Sequence, residues 1–384
     1  MGERGEMAVA AGESAPPIEP GSQTVRRRVL SLAWPVIGEN LLETLLGIVD
    51  TLLVAGLGAA ALAGVGTGLQ VMFFLLAALA ALSIGSSVLV AQAVGGQDFQ
   101  RASVLARQSL LWSVLLSVPL AVLGLLFSGP ILSLFGVEPE VARIATQYLQ
   151  VSMGTVVVLV VLFIGGGVLR GAGDSRTPMV VTLIANIVNV WLAYGLIYGR
   201  LGLPALGAVG SAWGTFLARA LAMFLLLAVL WRGRRGVAIG RSAGRWLPDF
   251  GVASRILRLG VPAAVEQLLI SAAFFALTVI VARLGTDVLA AQRISFTALS
   301  FSFLPGIGFA IAATALVGQS VGARRMVEGA AAARVATWWA VLWMGAIAVL
   351  LILFADPIMG AFTDDPTVAH IGAAGLRMVA LSQP

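Results

Sequence analysis

Residues 34–58 read WPVIGENLLETLLGIVDTLLVAGLG, and residues 261–285 read VPAAVEQLLISAAFFALTVIVARLG. A shift of 227 positions places the first stretch on the second without a gap, and the register continues for about a hundred residues. The identical residues that it aligns are Pro35 with Pro262, Glu39 with Glu266, Gln92 with Gln319, Gly95 with Gly322, Trp112 with Trp339 and Pro139 with Pro366. Chance does not hold one register over such a length, so the chain contains two copies of one unit.

The composition places both copies in a membrane. Of the 384 residues, 59% are apolar and only 11% are charged, whereas an ordinary soluble domain has about 25% charged residues. So few charges cannot cover the surface of a soluble domain of this size. The composition therefore excludes a soluble enzyme and predicts an all-α integral membrane protein, with successive apolar runs long enough to cross a bilayer.

Several chemistries are excluded by missing residue types. The chain has no Cys, all of its basic residues are Arg, and its one histidine is His370. Thiol chemistry, a Walker A motif and a multi-histidine metal site are therefore ruled out for this chain. The arginines are dispersed between apolar runs, which argues against a nucleic-acid partner. We expect no cofactor and no ATPase motif, and uphill transport would draw on an ion gradient or on a partner chain.

The duplication also predicts the domain organisation. The first copy holds six apolar runs, and an even number makes both copies enter the membrane from the same side. We predict a disordered cytoplasmic tail over 1–25, an N-lobe of helices 1–6 over 26–232, a cytoplasmic connector over 233–250 and an incomplete C-lobe over 251–384. Pro384 aligns with residue 157, inside the fourth run. About nine and a half helices of a twelve-helix, two-lobe fold are expected, and the chain is expected to be truncated at its C-terminus.

The distribution of arginines predicts the orientation. With a cytoplasmic N-terminus, eighteen arginines fall on the inside, and only Arg143, Arg200 and Arg283 fall in outside loops. Such an excess is typical of cytoplasmic segments. We expect a multi-pass protein of the cell's inner (plasma) membrane with its N-terminus in the cytoplasm.

Three acidic residues lie in the first apolar run, namely Glu39, Glu43 and Asp50. At 100° per residue they fall within about 40° of one another on one helix face. Ionisable groups at bilayer depth mark transport pathways or coupling sites more often than scaffolding. Glu39 has a counterpart in Glu266, which favours a shared structural role where the lobes meet. The counterpart of Asp50 is Leu277, so ion coupling is expected in the N-terminal half.

Two later runs carry small polar residues at helical spacing, namely Thr182, Asn186 and Asn189 in the fifth and Ser211, Thr215 and Arg219 in the sixth. Their oxygens could coordinate Na⁺ or orient a proton-carrying carboxylate. The alternative is hydrogen bonding between helices, which such residues make routinely in membranes. That alternative is favoured for Ser211, whereas both interpretations stay open for Asn189.

The turn LRGAGDSRTP at residues 169–178 separates the fourth and fifth runs. Its glycines permit a tight turn, Asp174 or Ser175 can cap the following helix, and Pro178 suits a first helical turn. It lacks the spacing and the Lys of a nucleotide-binding loop, so a structural role is favoured.

Together these features resemble the multidrug and toxic compound extrusion (MATE) family, and its DinF-type branch more than its NorM-type branch. The resemblance covers the chain from about residue 29 to its end. It is carried by Pro35, Asp50, Leu57-Gly58 with Ala61-Leu62-Ala63, the turn 169–174, Asn189 with Gly199, the run 207–215, and Gly260-Val261-Pro262.

The resemblance implies a secondary antiporter that exports organic, often cationic and amphipathic compounds in exchange for H⁺ or Na⁺. The cation site of similar proteins matches Asp50, Asn189 and Thr215 here, but a further fifth-helix Asp is replaced by Ala193. That loss favours H⁺, and Na⁺ at the same three residues stays possible. The second-half Glu of the NorM-type branch is not matched, because Glu266 lies closer to the helix start.

The expected mechanism is alternating access by two lobes that rock about a central cleft. The polar residues expected in the cavity are Glu39, Glu43, Asn186, Glu266 and Arg293, and the expected substrate contacts are Met72, Phe73, Phe74 and Trp191. We expect a monomer whose partners are small organic substrates and the lipid bilayer.

The competing function is a flippase for lipid-linked oligosaccharides. It would share the helices and the duplication, but it needs basic residues in its cavity to hold phosphates. Arg219, Arg293 and Arg377 are the candidates. Arg293 and Arg377 are otherwise expected to pair with buried carboxylates.

Overall fold

The computed structural model describes residues 23–133, 136, 138–240, 246–363 and 365–383, apart from the side chains of residues 23, 73–81, 282 and 301. The tail expected over 1–25 lies outside the described residues as far as residue 22. From Gln23 onward the chain is already helical.

The described residues form twelve α-helices and no strand. Their bounds are α1 Gln23–Ala55, α2 Ala59–Gly95, α3 Phe99–Ser133, α4 Pro139–Gly154, α5 Val156–Gly171, α6 Arg176–Tyr198, α7 Ala208–Arg232, α8 Phe250–Ala282, α9 Thr286–Gly322, α10 Met326–Leu353, α11 Ala355–Phe362 and α12 Pro366–Ala380. Six of the described helices are long and apolar enough to cross a membrane, and α4 with α5 would make a seventh span. The predicted all-α membrane fold is confirmed.

The fourth predicted helix is observed as two, because α4 and α5 meet at an angle of 53°. At the break, Thr155 Oγ1 donates to the Val151 carbonyl at 2.8 Å. A threonine that bonds back to the preceding turn bends a helix. The bend leaves apolar α5 buried at the centre of the N-terminal half, while α4 packs nearer its edge.

In the N-terminal half, α5 packs against α2, α3 and α7. The core there consists of fully buried aliphatic side chains such as Ile164, Leu169 and Leu230. Glycines bring the helices close together: a Cβ at Gly167 would lie 2.8 Å from the Ser83 carbonyl oxygen. Without a hydrophobic driving force in lipid, such close contact is what holds membrane helices together.

In the C-terminal half, α9 packs against α10, α11 and α12. Leu299, Met359 and Leu376 are buried in this second core. Much of α8 beyond Pro262 is exposed, as at Leu269 and Ile280.

The two halves meet at the end of the bundle that carries the start of α1 and the connector between α7 and α8, here called the connector end. Gly95 lies against the backbone of Gln319, and Gly322 lies in the same way against the backbone of Gln92. Gln319 Nε2 also donates to the Gly171 carbonyl at 3.0 Å. The duplicated pairs of the sequence therefore form a nearly symmetric contact between the halves.

Further contacts between the halves lie on the same side. Val29 and Ala33 of α1 pack against Phe309 and Ala312 of α9. Toward the opposite end, α1 becomes exposed, as at Leu52, which is 67% exposed. The halves are thus in contact at the connector end, and faces of α1 and α8 beyond it are exposed, as at Leu52 and Leu269.

The connector is attached to α3. Gln108 donates from Nε2 to the Leu247 carbonyl at 2.6 Å and accepts from the Asp249 amide at 3.0 Å. Ser103 Oγ accepts from the Ala238 amide at 3.1 Å. Asp249 then caps α8 through the amides of the second and third helical residues. The described parts of the connector therefore fix where the second half begins.

Candidate functional site

Asp50 lies five residues before the end of α1, on the face that packs against α7. Ser211 Oγ donates to Asp50 Oδ2 at 2.6 Å. Asp50 Oδ1 is buried and has no hydrogen-bond partner in the structure. A buried carboxylate oxygen without a donor is costly, so this atom is a place where a proton or a cation would be stabilised.

Asn189 of α6 repeats this arrangement. Its Nδ2 donates to Thr215 Oγ1 at 3.0 Å, while its Oδ1 is buried and has no partner. Ser211 and Thr215 are four residues apart on α7, so both hydroxyls lie on one helix face. The structure thus brings Asp50, Asn189 and Thr215 to one side of α7, and Ser211 joins them.

Close packing of α6 on α7 positions these groups. A Cβ at Gly210 would lie 2.5 Å from the Leu196 carbonyl oxygen, and one at Gly214 would lie 2.9 Å from the Ala193 amide nitrogen. Ala193, the position where the resemblance implies an Asp, is fully buried in this contact. The local site therefore holds one carboxylate, one amide and two hydroxyls.

Asn186 lies one turn before Asn189 and has a different role. Its Nδ2 donates to the Leu42 carbonyl of α1 at 2.7 Å, and the side chain is buried. Tyr198 likewise donates its hydroxyl proton to the Leu53 carbonyl at 2.6 Å. These bonds tie α6 to α1 on either side of Asp50, and they hold the carboxylate at its depth.

The other two acidic residues of α1 form ion pairs within the N-terminal half. Glu39 pairs with Arg170 of α5 at 3.0 Å, and their side chains are 19% and 13% exposed. Glu43 pairs with Arg219 of α7 at 3.8 Å and is half-exposed. Each carboxylate of the predicted face thus has its own partner.

The expected equivalence of Glu39 and Glu266 does not hold. Glu39 contacts Arg170 inside its own half rather than the boundary between the halves. Glu266 is exposed, and the structure describes no ion pair for it. The reason is that α8 is exposed at this point, whereas α1 packs against α6 and α7.

The expected pairing of the two C-terminal arginines with buried carboxylates is also not observed. Arg377 pairs with Asp356, whose side chain is 64% exposed. Arg293 is exposed, and the described residues give it no acidic partner. Both lie on helix faces that the C-terminal half leaves uncovered.

The predicted substrate contacts are separated. Met72 is buried and lines a small cavity of about 80 Å³ together with Tyr148, Thr215 and Arg219. Trp191 is 62% exposed and lies outside that cavity. The side chains of Phe73 and Phe74 lie outside the described part of the chain.

The turn after α5 has the structural role that its residues predict. Gly173 has a φ of +87°, which glycine adopts readily. Asp174 accepts from the Arg176 and Thr177 amides at 3.1 Å and from Arg234 Nε at 2.6 Å. Burial would raise the pKa of Asp174, but the hydrogen bonds from Arg234 and Thr177 outweigh it and hold the pKa below its ordinary value.

Comparison with known proteins identifies the family. The MatE family model matches residues 35–195 and 262–384. The chain belongs to the MatE family. Its members are membrane transporters rather than enzymes, and the resemblance to MATE proteins is confirmed. The assignment to the DinF-type branch stays a prediction.

Relatives and solved structures cover most of this MatE chain. It is 30% identical over 360 residues to the probable multidrug resistance protein NorM of Thermotoga maritima, covering 94% of this chain and 77% of that protein. The probable multidrug resistance protein YoeA of Bacillus subtilis is 29% identical over 350 residues, covering 90% and 75%. A crystal structure of MATE in the bent conformation superimposes with a TM-score of 0.85 at 25% identity, covering 95% and 81%.

The first matched segment, 35–195, includes Asp50 and Asn189, whereas α7 lies between the two matched segments. The hydrogen bonding between helices that was favoured for Ser211 is observed, from α7 to α1. The sequence did not identify Asp50 as its acceptor, although the spacing of four between Ser211 and Thr215 placed both hydroxyls on one helix face. Arg170 and Gln319 were also missed as partners, because nothing local in the sequence identifies their contacts. No group of three or more His, Cys, Asp or Glu that could hold a metal occurs among the described residues.

Proposed function

We propose that this MatE protein is a secondary antiporter that exports organic, often cationic and amphipathic compounds in exchange for H⁺. The observation that carries the proposal is the buried Asp50 Oδ1, which has no hydrogen-bond partner beside the Ser211 bond of its other oxygen. The substrate class is supported by the multidrug resistance proteins that the chain resembles.

We choose H⁺ because two acceptor oxygens of the site lack a hydrogen-bond donor. Asp50 Oδ1 and Asn189 Oδ1 are both acceptors without a donor. A proton on Asp50 converts one of its oxygens into a donor and removes a buried charge. Na⁺ at Asp50, Asn189 and Thr215 remains the alternative, but with Ala193 in α6 the site offers it a single carboxylate.

Alternating access of the two lobes completes the proposed mechanism. The positive-inside distribution of arginines supports a cytoplasmic connector end and N-terminus. With contacts at that end, the cleft between the lobes, 26–232 and 251–384, would open to the outside. Proton uptake by Asp50 would alter how α1 packs against α6 and α7, and substrate would leave outward. We propose that the protein works as a monomer in the inner membrane.

The flippase has weaker support. Of its three candidate arginines, Arg219 lines the described cavity, but it is paired with Glu43. Arg377 is paired with Asp356 at an exposed site. Arg293 has no acidic partner among the described residues, but it is exposed and lines neither the cavity at Arg219 nor the groove beside α8. A phosphate-binding cavity needs arginines without carboxylate partners inside it, so we do not propose this function.

Transport in proteoliposomes tests the proposal. We expect ethidium uptake or release to follow an imposed pH gradient, to ignore a Na⁺ gradient, and to be lost in Asp50→Asn. The matched control is Asp287→Asn, since Asp287 is an exposed acid at the start of α9. Equal transport by Asp50→Asn would refute the coupling role, and dependence on Na⁺ alone would select the other ion.

A further inference from the structure

A groove of about 690 Å³ runs between the two halves near the connector end. Leu82 of α2 with Trp112 and Leu116 of α3 forms one wall, and the first three turns of α8 form the other. Its lining is mainly apolar, and Leu257 and Val261 are exposed within it. An open apolar groove on a membrane protein is accessible to lipid tails.

Aromatic residues place the groove at the membrane interface. Trp112 and Phe250 make an edge-to-face contact with their ring centroids 5.1 Å apart. Trp112 Nε1 donates to the Asp249 carbonyl at 3.2 Å, just before α8 begins. Tryptophan side chains such as Trp112 are enriched at the headgroup level, and the part of α8 that follows is apolar and unburied. We infer that the groove extends from the headgroups into the hydrocarbon.

The polar lining of the groove includes Ser254 and Arg258, four residues apart on α8. Arg258 is exposed, and no ion pair is described for it. Glu266, the nearest acid along the chain, lies eight residues further along α8 and forms no described ion pair with Arg258. Asp249, nine residues before Arg258, is occupied with the Gly251 and Val252 amides. The side chains at the interface thus offer a cation without a carboxylate partner.

We propose that this groove binds a phospholipid with an anionic headgroup, its acyl chain along Leu116 and Val261 and its phosphate at Arg258. The charge selects the occupant: a cationic amphiphile would meet an unpaired arginine, whereas an anionic lipid gains from it. Because the walls come from both halves, the bound lipid bridges them at the connector end. The site is separate from Asp50, and the proposal does not depend on the coupling ion.

Lipid-specific fluorescence quenching tests this site. The chain lacks Cys, so a fluorophore attached through Leu115→Cys reports from the exposed residue beside the groove. The full chain is reconstituted with equal fractions of brominated phosphatidylglycerol or brominated phosphatidylcholine. We expect the label to show about fivefold preference for the anionic lipid, and a label through Leu123→Cys to show none.

Substitutions at Arg258 and Arg255 distinguish lipid binding in the groove from an effect of general surface charge. Arg258→Gln should abolish the preference, whereas Arg255→Gln, the same charge change outside the groove lining, should retain it. Ser254→Trp should fill the groove and lower quenching by both lipids. Equal quenching by the two lipids in the parent protein, or equal loss in Arg255→Gln and Arg258→Gln, would overturn the proposal.

Discussion

Gly95 of α2 packs directly against the backbone carbonyl of Gln319 in α9, and the duplication repeats this contact between Gly322 and Gln92. Each partner is main chain, so no side-chain rotation can make room for an added methyl group. The two copies of one sequence unit thus hold each other at the connector end through their smallest residue.

Gly95→Ala should push α2 and α9 apart at this contact. Spin labels introduced at Asp98 and Arg324, just beyond the two helix ends, should report a distance longer by a few ångströms. Gly66→Ala is the matched control, because a Cβ at Gly66 in the same helix meets nothing within 4 Å. An unchanged distance in Gly95→Ala would show that the halves can accommodate the methyl group.

Ser211→Ala should lower the rate of coupled transport without abolishing it. The substitution deprives Asp50 Oδ2 of its donor, and leaving a buried acceptor unpaired costs about 1–3 kcal/mol. Ser211→Thr keeps the hydroxyl and should retain most of the rate. Transport in proteoliposomes measures both variants, and a normal rate in Ser211→Ala would remove Ser211 from the site.

Glu39→Gln should destabilise the protein much more than Glu43→Gln. The first leaves Arg170 charged and almost buried without a partner, at a cost of about 3–5 kcal/mol in the free energy of unfolding. The second breaks a half-exposed pair, which contributes about 0–1 kcal/mol. Unfolding in mixed micelles measures the difference. Glu39→Gln combined with Arg170→Gln should recover part of the loss, and failure to do so would argue against a direct pair.

The protein should lose stability at acid pH because the stabilising contribution of ionised Asp174 is lost there. The folded-state pKa of Asp174 lies below the ordinary value of 3.8, so the ionised carboxylate adds stability above that value. The contribution is lost as the pH falls through the lower folded-state pKa. Arg234→Ala should weaken this effect, and Asp174→Asn should remove it.

Melting temperatures between pH 7 and pH 3 measure the Asp174 effect. Asp98→Asn serves as the comparison, because exposed Asp98 caps α3 through the Arg101 amide alone. A pH profile in Asp174→Asn that matches the parent protein would contradict the assignment.

Much of the architecture could be predicted from the sequence, because it depends on local or periodic features of the chain. The 227-residue register predicted two copies, and it also selected Gln92, Gly95, Gln319 and Gly322, which meet between the halves. The bend at Thr155 was not predicted. Both sides of the bend are apolar, and hydropathy does not distinguish one long helix from two short ones.

The polar site likewise contains residues that the sequence identified and partners that it did not. Composition and helical periodicity by themselves determined an all-helical membrane chain and singled out Asp50, because apolar length and an isolated acid are properties of one segment. Only the tertiary structure decided that Ser211 binds Asp50 and that Arg170 binds Glu39, over separations of 161 and 131 residues. Such partners depend on which helix faces touch, and that is set by close packing at glycines across the whole bundle.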